Sequence, residues 1–262
     1  MTNLENKFNL PEAYVDDYTA FQMPNEGRCL VFGDVHVPFH NVRGLSAMIE
    51  HALMCGITSI LINGDFFDHF SLSSFDKDPD KKDYKKEMQD GRMLLEKFAE
   101  LFPNTERFFK FGNHDEWYQK YLWRKAPELW GDPDFRLENR IRANENGFTV
   151  IKDKRVVMLG KLPVLHGHEI NMRGTTVNPA RTLYLKVKHS CVCNHLHVSS
   201  QHNEKDIDGK HISTWSVGHM GTEHPEYAPI NSWNLGFAVI DYDKDFYEVS
   251  NYKIINGKVI RT

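Results

Sequence analysis

Apolar positions along the chain fall into two kinds of run. Cys29-Leu30-Val31-Phe32, the stretch Ile57 to Ile62, and Arg107 to Phe111 are short and nearly unbroken, as in strands buried on both faces. Between them the apolar residues recur at helical spacing. Leu45, Met48, Ile49, Ala52 and Leu53 form one such face, stopped by Gly56; Met88, Met93, Leu94, Leu95, Phe98 and Leu101 form another over 84–102, followed by Pro103. The segment 116–130 reads as an aromatic-rich helix, and 131–147 is charged and irregular. Strands are expected at 155–159, 162–165, 191–193, 214–217, 235–240 and 246–252. A further helix opens at Asn178-Pro179, where asparagine suits the N-cap and proline the first turn, and runs to about His189. Residues 1–26 read as a loosely packed lead-in and 27–262 as a single domain.

The polar residues are placed as regularly as the apolar ones. Five times, an apolar strand gives way to a turn carrying Asp, Asn or His: Asp34 and His36; Asp65 and Asp68; Asn113, His114 and Asp115; His166 and His168; His195 and His197. In layered α/β folds, functional groups gather just past the carboxyl ends of strands. A long polar loop over 66–83 lies beside the second of these turns, and loops of that length inside domains are commonly functional.

Composition narrows the class. Of 262 residues, 40% are hydrophobic and 26% charged, as in ordinary globular proteins. The net charge of −4 and a pI near 6.4 exclude a protein whose main task is coating nucleic acid. Four scattered cysteines make no disulfide framework. The N-terminus lacks the apolar run of a signal peptide, and no stretch is long enough to span a membrane, so a cytoplasmic protein is expected. Fourteen histidines are the unusual feature. Imidazoles mixed with carboxylates suit Zn, Fe, Mn and related ions, and two such ions side by side can clamp both oxygens of an in-line displacement at phosphorus.

Gly33-Asp34-Val35-His36, Gly64-Asp65-Phe66-Phe67-Asp68, Gly112-Asn113-His114-Asp115, His166-Gly167 and Asn194-His195-Leu196-His197 resemble, in order, the five motifs of the calcineurin-like metallophosphoesterase superfamily, over about residues 28–200. The resemblance implies a four-layer α/β/β/α sandwich of two mixed β-sheets flanked by helices. It implies two divalent transition-metal ions, with Mn²⁺ preferred and Fe, Zn or Ni as alternatives. Asp34, His36, Asp65 and His197 would hold the first ion; Asp65, Asn113, His166 and His195 the second, Asp65 bridging. His114 would protonate the leaving alkoxide with Asp68 orienting its ring, and the nucleophile would be a hydroxide held between the ions. The expected substrate is a phosphate ester, with a phosphodiester of nucleotide or nucleic-acid type favoured over a monoester. Asn194 stands where the last motif usually has glycine, and asparagine tolerates left-handed backbone. His69 stands where the protein Ser/Thr phosphatases of the superfamily have arginine. The 34–40 turn, Phe75-Asp76-Lys77-Asp78-Pro79 and the Trp233 to Phe237 segment are similar to small bacterial and bacteriophage members.

Several features carry two readings. His168 is the alternative to His166 as a ligand, and the resemblance favours His166. Cys191 and Cys193 share one face of a strand, so burial in the core is preferred to metal binding. Lys81, Lys82, Lys85 and Lys86 read as a solvated helix start before a polyanion contact. Trp117, Tyr118, Tyr121, Trp123 and Trp130 read as packing before base stacking. His219 and His224 divide evenly between pocket lining and surface. The sequence nominates no substrate-binding residue and no oligomeric state. A rival of another class is a non-catalytic interaction scaffold on the same fold; the presence of every proposed ligand and of His114 argues against it.

Overall fold

Leu30 and Phe32 join one apolar cluster while Cys29 and Val31, from the same strand, join another, and this alternation builds the layers. In the computed structural model, which describes residues 8–15, 18–74, 80, 83–172, 177–225 and 228–262, that strand is β2 (Gly27–Phe32). It lies at the centre of a mixed sheet. On one side β3 (Ser59–Asn63), β4 (Glu106–Lys110) and β5 (Phe148–Ile151) follow in parallel; on the other, β11 (Gly236–Tyr242), β12 (Tyr247–Ile255) and β13 (Lys258–Arg261) run antiparallel in succession. The second mixed sheet has the order β1 (Phe21–Gln22), β6 (Val157–Leu159), β7 (Leu162–Leu165), β8 (Cys191–Cys193), β10 (His211–Ser216) and β9 (Ser200–Lys205).

The helices cover the outer faces. Leu45 and Met48 of α1 (Val42–Cys55) and Leu95 and Phe98 of α2 (Tyr84–Leu101) meet Leu30, Phe32, Ile60 and Ile62 on the first sheet. Val31 and Leu61 face Val157, Leu162, Val164 and Val192 between the sheets. Beyond the short α4 (Leu137–Arg140) in sequence, Leu183 of α5 (Pro179–Val187) closes the far side against Leu165, Cys191 and Cys193. This is the four-layer sandwich expected from the sequence, and the two cysteines are buried core thiols. Among the described residues no helix is long and apolar enough to cross a membrane.

Element boundaries follow local chemistry. Asn41 caps α1 by accepting from Gly44 N at 2.8 Å, and Gly56 ends that helix in the left-handed conformation, φ 63°. Asn178 caps α5 in the same way. Three differences from the sequence reading matter. The helix expected from Glu116 begins at Asn113, as α3 (Asn113–Lys125), so Asn113 and His114 stand on its first turn. The lead-in is not wholly unpaired, since Phe21–Gln22 pairs with β6. The edge strands β5, β9 and β13 were not anticipated. Residues Phe75 to Pro79, with Lys81 and Lys82, lie outside the described residues. Lys86 pairs with Asp90 one turn along α2, as on a solvated helix face.

Candidate metal centre

Each proposed site residue is delivered by a turn at a strand end. Asp34 and His36 follow β2, Asp65 and Asp68 follow β3, and Asn113 and His114 follow β4; His166 follows β7, and His195 and His197 follow β8. The turns are strained. Asp34, His36, Asp65, His195 and His197 all adopt left-handed backbone, with φ of 51°, 50°, 50°, 72° and 60°. Such conformations cost non-glycine residues about 1–3 kcal/mol each. Backbone bonds hold them: Asp34 N donates to Gly64 O at 2.9 Å, Val35 N to Asp65 O at 2.9 Å, and Met220 N to Asp34 O at 3.0 Å. The turns also approach closely. A Cβ on Gly112 would stand 2.2 Å from Asp65 Oδ1, and one on Gly64 2.5 Å from His166 Nδ1.

The side chains converge in two adjoining groups. Asp34, His36 and His197 each offer a donor atom within 4.8 Å of one another, and so do Asp65, His166 and His195. Asp34 Oδ1 lies 3.2 Å from His197 Nε2 and 4.0 Å from His166 Nε2. Asp65 Oδ2 lies 3.2 Å from His166 Nε2. The two groups therefore share an edge at Asp34, His166 and Asp65. Asn113, on the first turn of α3, has a buried Oδ1 with no hydrogen-bond partner among the described residues; Asp34 Oδ1 and His166 Nε2 face His197 Nε2 and Asp65 Oδ2 at 3.2 Å without well-aligned hydrogen bonds. Unpaired buried polar atoms are costly, and a divalent transition ion is the species that carboxylate, imidazole and amide donors together satisfy.

The far nitrogens of the rings are already committed. His166 Nδ1 donates to Asn63 O at 2.8 Å, His36 Nδ1 to Asp68 Oδ1 at 2.9 Å, and His195 Nε2 to Met172 O at 3.1 Å. Each bond fixes which nitrogen faces the centre, so a cation would take that nitrogen in exchange for its proton. Burial opposes charge on both aspartates, yet the facing imidazoles outweigh it: His197 and His166 hold the Asp34 carboxyl well below the usual range, and His166 and His114 do the same for Asp65. Burial likewise works against protonated His36 and His166, but Asp68 raises the first to about 9 and Asp65 the second to about 10. His195, buried and beside His166, is pushed down to about 4.

His114 belongs to neither group but shares a third set of donor atoms within 4.8 Å with His36 and Asp68, its ring edge-on to that of His36 at 4.6 Å. Its Nδ1 donates to the backbone carbonyl of Asp68 at 2.6 Å, which turns Nε2 toward Asp65 Oδ2, 4.0 Å away. Burial lowers its pKa. The Asp68 carboxylate, expected to orient His114 directly, instead bonds His36 and lies 3.7 Å from His114 Nδ1. The half-buried Trp117 covers the His114 ring, centroids 3.8 Å apart, while Tyr118 packs in the core and Trp123 is largely exposed. His219, almost fully buried, stacks on His197 at 5.0 Å, with Trp233 edge-on at 4.3 Å; His224 is exposed.

Two departures from the motif pattern find their explanation here. Asn194 is not left-handed; it is fully buried, and its Oδ1 accepts from Asn63 Nδ2 at 2.8 Å, tying the end of β8 to the end of β3. His69 is buried behind the centre, its Nδ1 donating to His114 O at 3.1 Å. Burial keeps it neutral, down at about 4, so no cation replaces the arginine. Its amide donates to Glu87 of α2 at 2.6 Å, and burial raises that carboxyl to about 8. A free glutamate titrates near ~4.3. The stabilising contribution of the protonated form is thus fully present below ~4.3 and is lost as pH rises through about 8. Glu87→Gln keeps the carbonyl acceptor without the proton, so thermal unfolding of this variant should lose less stability between pH 6 and pH 9 than the wild type does; equal losses would contradict the raised pKa.

Other residues about the centre have no role assigned from the sequence. Asp115 is fully buried and accepts from Gly112 N at 2.8 Å and Phe67 N at 3.2 Å, locking two turns together. Burial raises its pKa to about 7. Lys110, Glu116 and Glu169 form ion pairs next to Asn113 and His166. Lys110 did leave a signal, as a charge set between Phe108-Phe109 and Phe111 at the end of a strand.

The sequence model for calcineurin-like phosphoesterases matches residues 27–248. No curated protein sequence matches. Solved structures similar to this chain include Vacuolar Protein Sorting 29 from Cryptosporidium parvum, at 16% identity, TM-score 0.48, covering 90% of this chain and 96% of that one. Wild-type Vps29 complexed with Zn from Entamoeba histolytica is 11% identical, with TM-score 0.44, covering 90% and 97%. Yfce, a phosphoesterase from E. coli, is 14% identical, with TM-score 0.45, covering 90% and 98%.

Proposed function

We propose, from the premise that this chain belongs to the calcineurin-like phosphoesterase family, that it hydrolyses a phosphodiester of nucleotide or nucleic-acid type at a centre of two divalent ions, Mn²⁺ by preference. The observation that carries this reading is the pair of donor groups, Asp34 with His36 and His197, and Asp65 with His166 and His195, meeting along one edge. Asp65 would contribute its carboxylate to both ions. Asn113 completes the second group through Oδ1. When bound, the ions polarise phosphoryl oxygens and lower the pKa of a nucleophilic water.

The chain's own residues do the rest. The committed far nitrogens of His36, His166 and His195 keep the rings in ligating orientation with no reorganisation. When the ring is protonated, a state that burial disfavours, His114 Nε2 would give its proton to the leaving oxygen; Asp68 O, bonded to Nδ1, keeps Nε2 aimed at the centre. Preference for a diester rests on charge. A monoester carries a third unesterified oxygen, which cationic side chains usually meet. Here His69 is neutral and faces away, and Lys110 is committed to Glu169.

A metal-supplemented screen tests this reading. Bis(p-nitrophenyl) phosphate should be hydrolysed with Mn²⁺ present, faster than p-nitrophenyl phosphate, and excess chelator should abolish turnover until Mn²⁺ is restored. No hydrolysis of either ester with Mn²⁺, Fe²⁺, Zn²⁺ or Ni²⁺ would overturn the enzymatic reading, and a faster monoester would overturn the preference.

A further inference from the structure

Two ion-paired contacts outside the donor groups link the segment that carries Asn113 to the turn that carries His166. Lys110, three residues before Asn113 at the end of β4, pairs with Glu169, three residues after His166. Glu116, three residues after Asn113 on α3, accepts from His168 Nε2 at 3.3 Å and is backed by Lys120 at 2.6 Å. The two contacts close on each other, since His168 Nδ1 lies 3.6 Å from Glu169 Oε2. Glu169 is more than a partner for lysine. Its Oε1 accepts from His166 N at 2.9 Å and its Oε2 from Gly167 N at 2.6 Å, so the carboxylate grips the backbone of the turn itself.

The surroundings make these contacts stiff. Lys110 and Glu169 side chains are 1% and 7% exposed, and His168 and Glu116 are 8% and 7% exposed. Charges buried this deeply are held by their partners, and losing one partner leaves the other uncompensated. The turn needs the grip: Gly167 has φ 129°, a backbone open chiefly to glycine, and nothing in β7 alone would fix the direction of the His166 ring.

We infer that Lys110–Glu169 and Glu116–His168 form a two-armed clamp whose task is to hold Asn113 and His166 at ligating separation, so that it sets the affinity of the second ion and not of the first. Lys110, Glu116, His168 and Glu169 are positioning residues; none is assigned to an ion. The two arms straddle one proposed ligand on each side; among the described residues the turns of Asp34 and His197 are joined by the contact between those two residues themselves, 3.2 Å, and by no comparable ion pair outside the donor group. The inference rests on the two-ion reading above. It gives His168 a role distinct from that of His166.

Calorimetric titration of the full chain with Mn²⁺ tests it. Lys110→Met removes one arm and His168→Phe, which keeps the ring against His166, removes the other. Each should weaken one of two binding steps by about 10- to 100-fold, the usual cost of losing a partner that orients a ligand, and leave the other step unchanged. The weakened step should be the one that Asn113→Ala abolishes, with no added effect when the substitutions are combined. Near-ultraviolet circular dichroism in chelator should be unchanged for His168→Phe, so this variant decides the matter if Lys110→Met does not fold. Equal weakening of both steps, or of neither, in a chain whose wild type binds two ions overturns the clamp alone. A wild-type chain that binds one ion overturns the two-ion reading and the clamp together.

Discussion

Asp65→Asn should bring bound metal below two ions per chain and cut turnover by at least about 10²-fold, the scale on which a single preorganised electrostatic partner acts. The substitution changes one atom and leaves the volume unchanged, so packing does not cloud the result. Asp65 is nearly fully buried, with Oδ1 accepting from His114 N at 2.8 Å and Oδ2 3.2 Å from His166 Nε2. The amide group cannot satisfy both. If Nδ2 takes the place of Oδ1, it faces the His114 amide donor to donor; if it takes the place of Oδ2, it points an N–H at the ring nitrogen that should ligate. Either way the negative charge shared by the two groups disappears. Metal analysis by mass spectrometry alongside turnover checks this. Two ions retained with wild-type turnover would remove Asp65 from the bridging position and with it the join between the two groups.

Which residues gather at the strand ends is largely readable in the sequence, and the reason is local. A strand that ends in a tight polar turn is a short-range pattern, and five such turns already specify which residues face the carboxyl edge of the sheets. The apolar runs of β2 and β3 are equally plain, because burial on both faces forces an unbroken apolar run. The edge strand Ser200–Lys205 escaped because its exposed and half-buried positions alternate without apolar residues; its identity comes from pairing with β10. The start of α3 was misplaced because Gly112-Asn113-His114 reads as a turn, and Asp115, folded back onto the Gly112 amide, is what starts the helix there.

The parts that were illegible are those made by long-range pairing. Lys110 and Glu169 are 59 residues apart and Glu116 and His168 are 52 apart. Nothing in either segment names its partner. The same holds for Asn194, whose departure from glycine makes sense only once Asn63, 131 positions away, lies against it. Asp68 shows the limit of motif reasoning at atomic scale. Its place beside His114 was foreseen, yet the carbonyl makes that contact and the carboxylate goes to His36. Left-handed backbone at Asp34, His36, Asp65, His195 and His197 is the strain that such positioning costs.

His114→Gln should leave both ions bound and slow the hydrolysis of a diester with a poor leaving group by about 10²–10⁴-fold, as for a lost general acid. Glutamine can still reach Asp68 O, so the first turn of α3 keeps its anchor, and Asn113 beside it keeps its place. What disappears is the proton carrier at Nε2, the atom that faces the centre at 4.0 Å from Asp65 Oδ2. The decisive comparison is across leaving groups. p-Nitrophenolate departs without a proton, so the deficit should shrink toward unity for bis(p-nitrophenyl) phosphate and be full for an alkyl or nucleoside ester. A ring that merely shaped the pocket would slow both kinds of ester alike. An equal deficit on both, or none on the poor leaving group, would take proton donation away from His114.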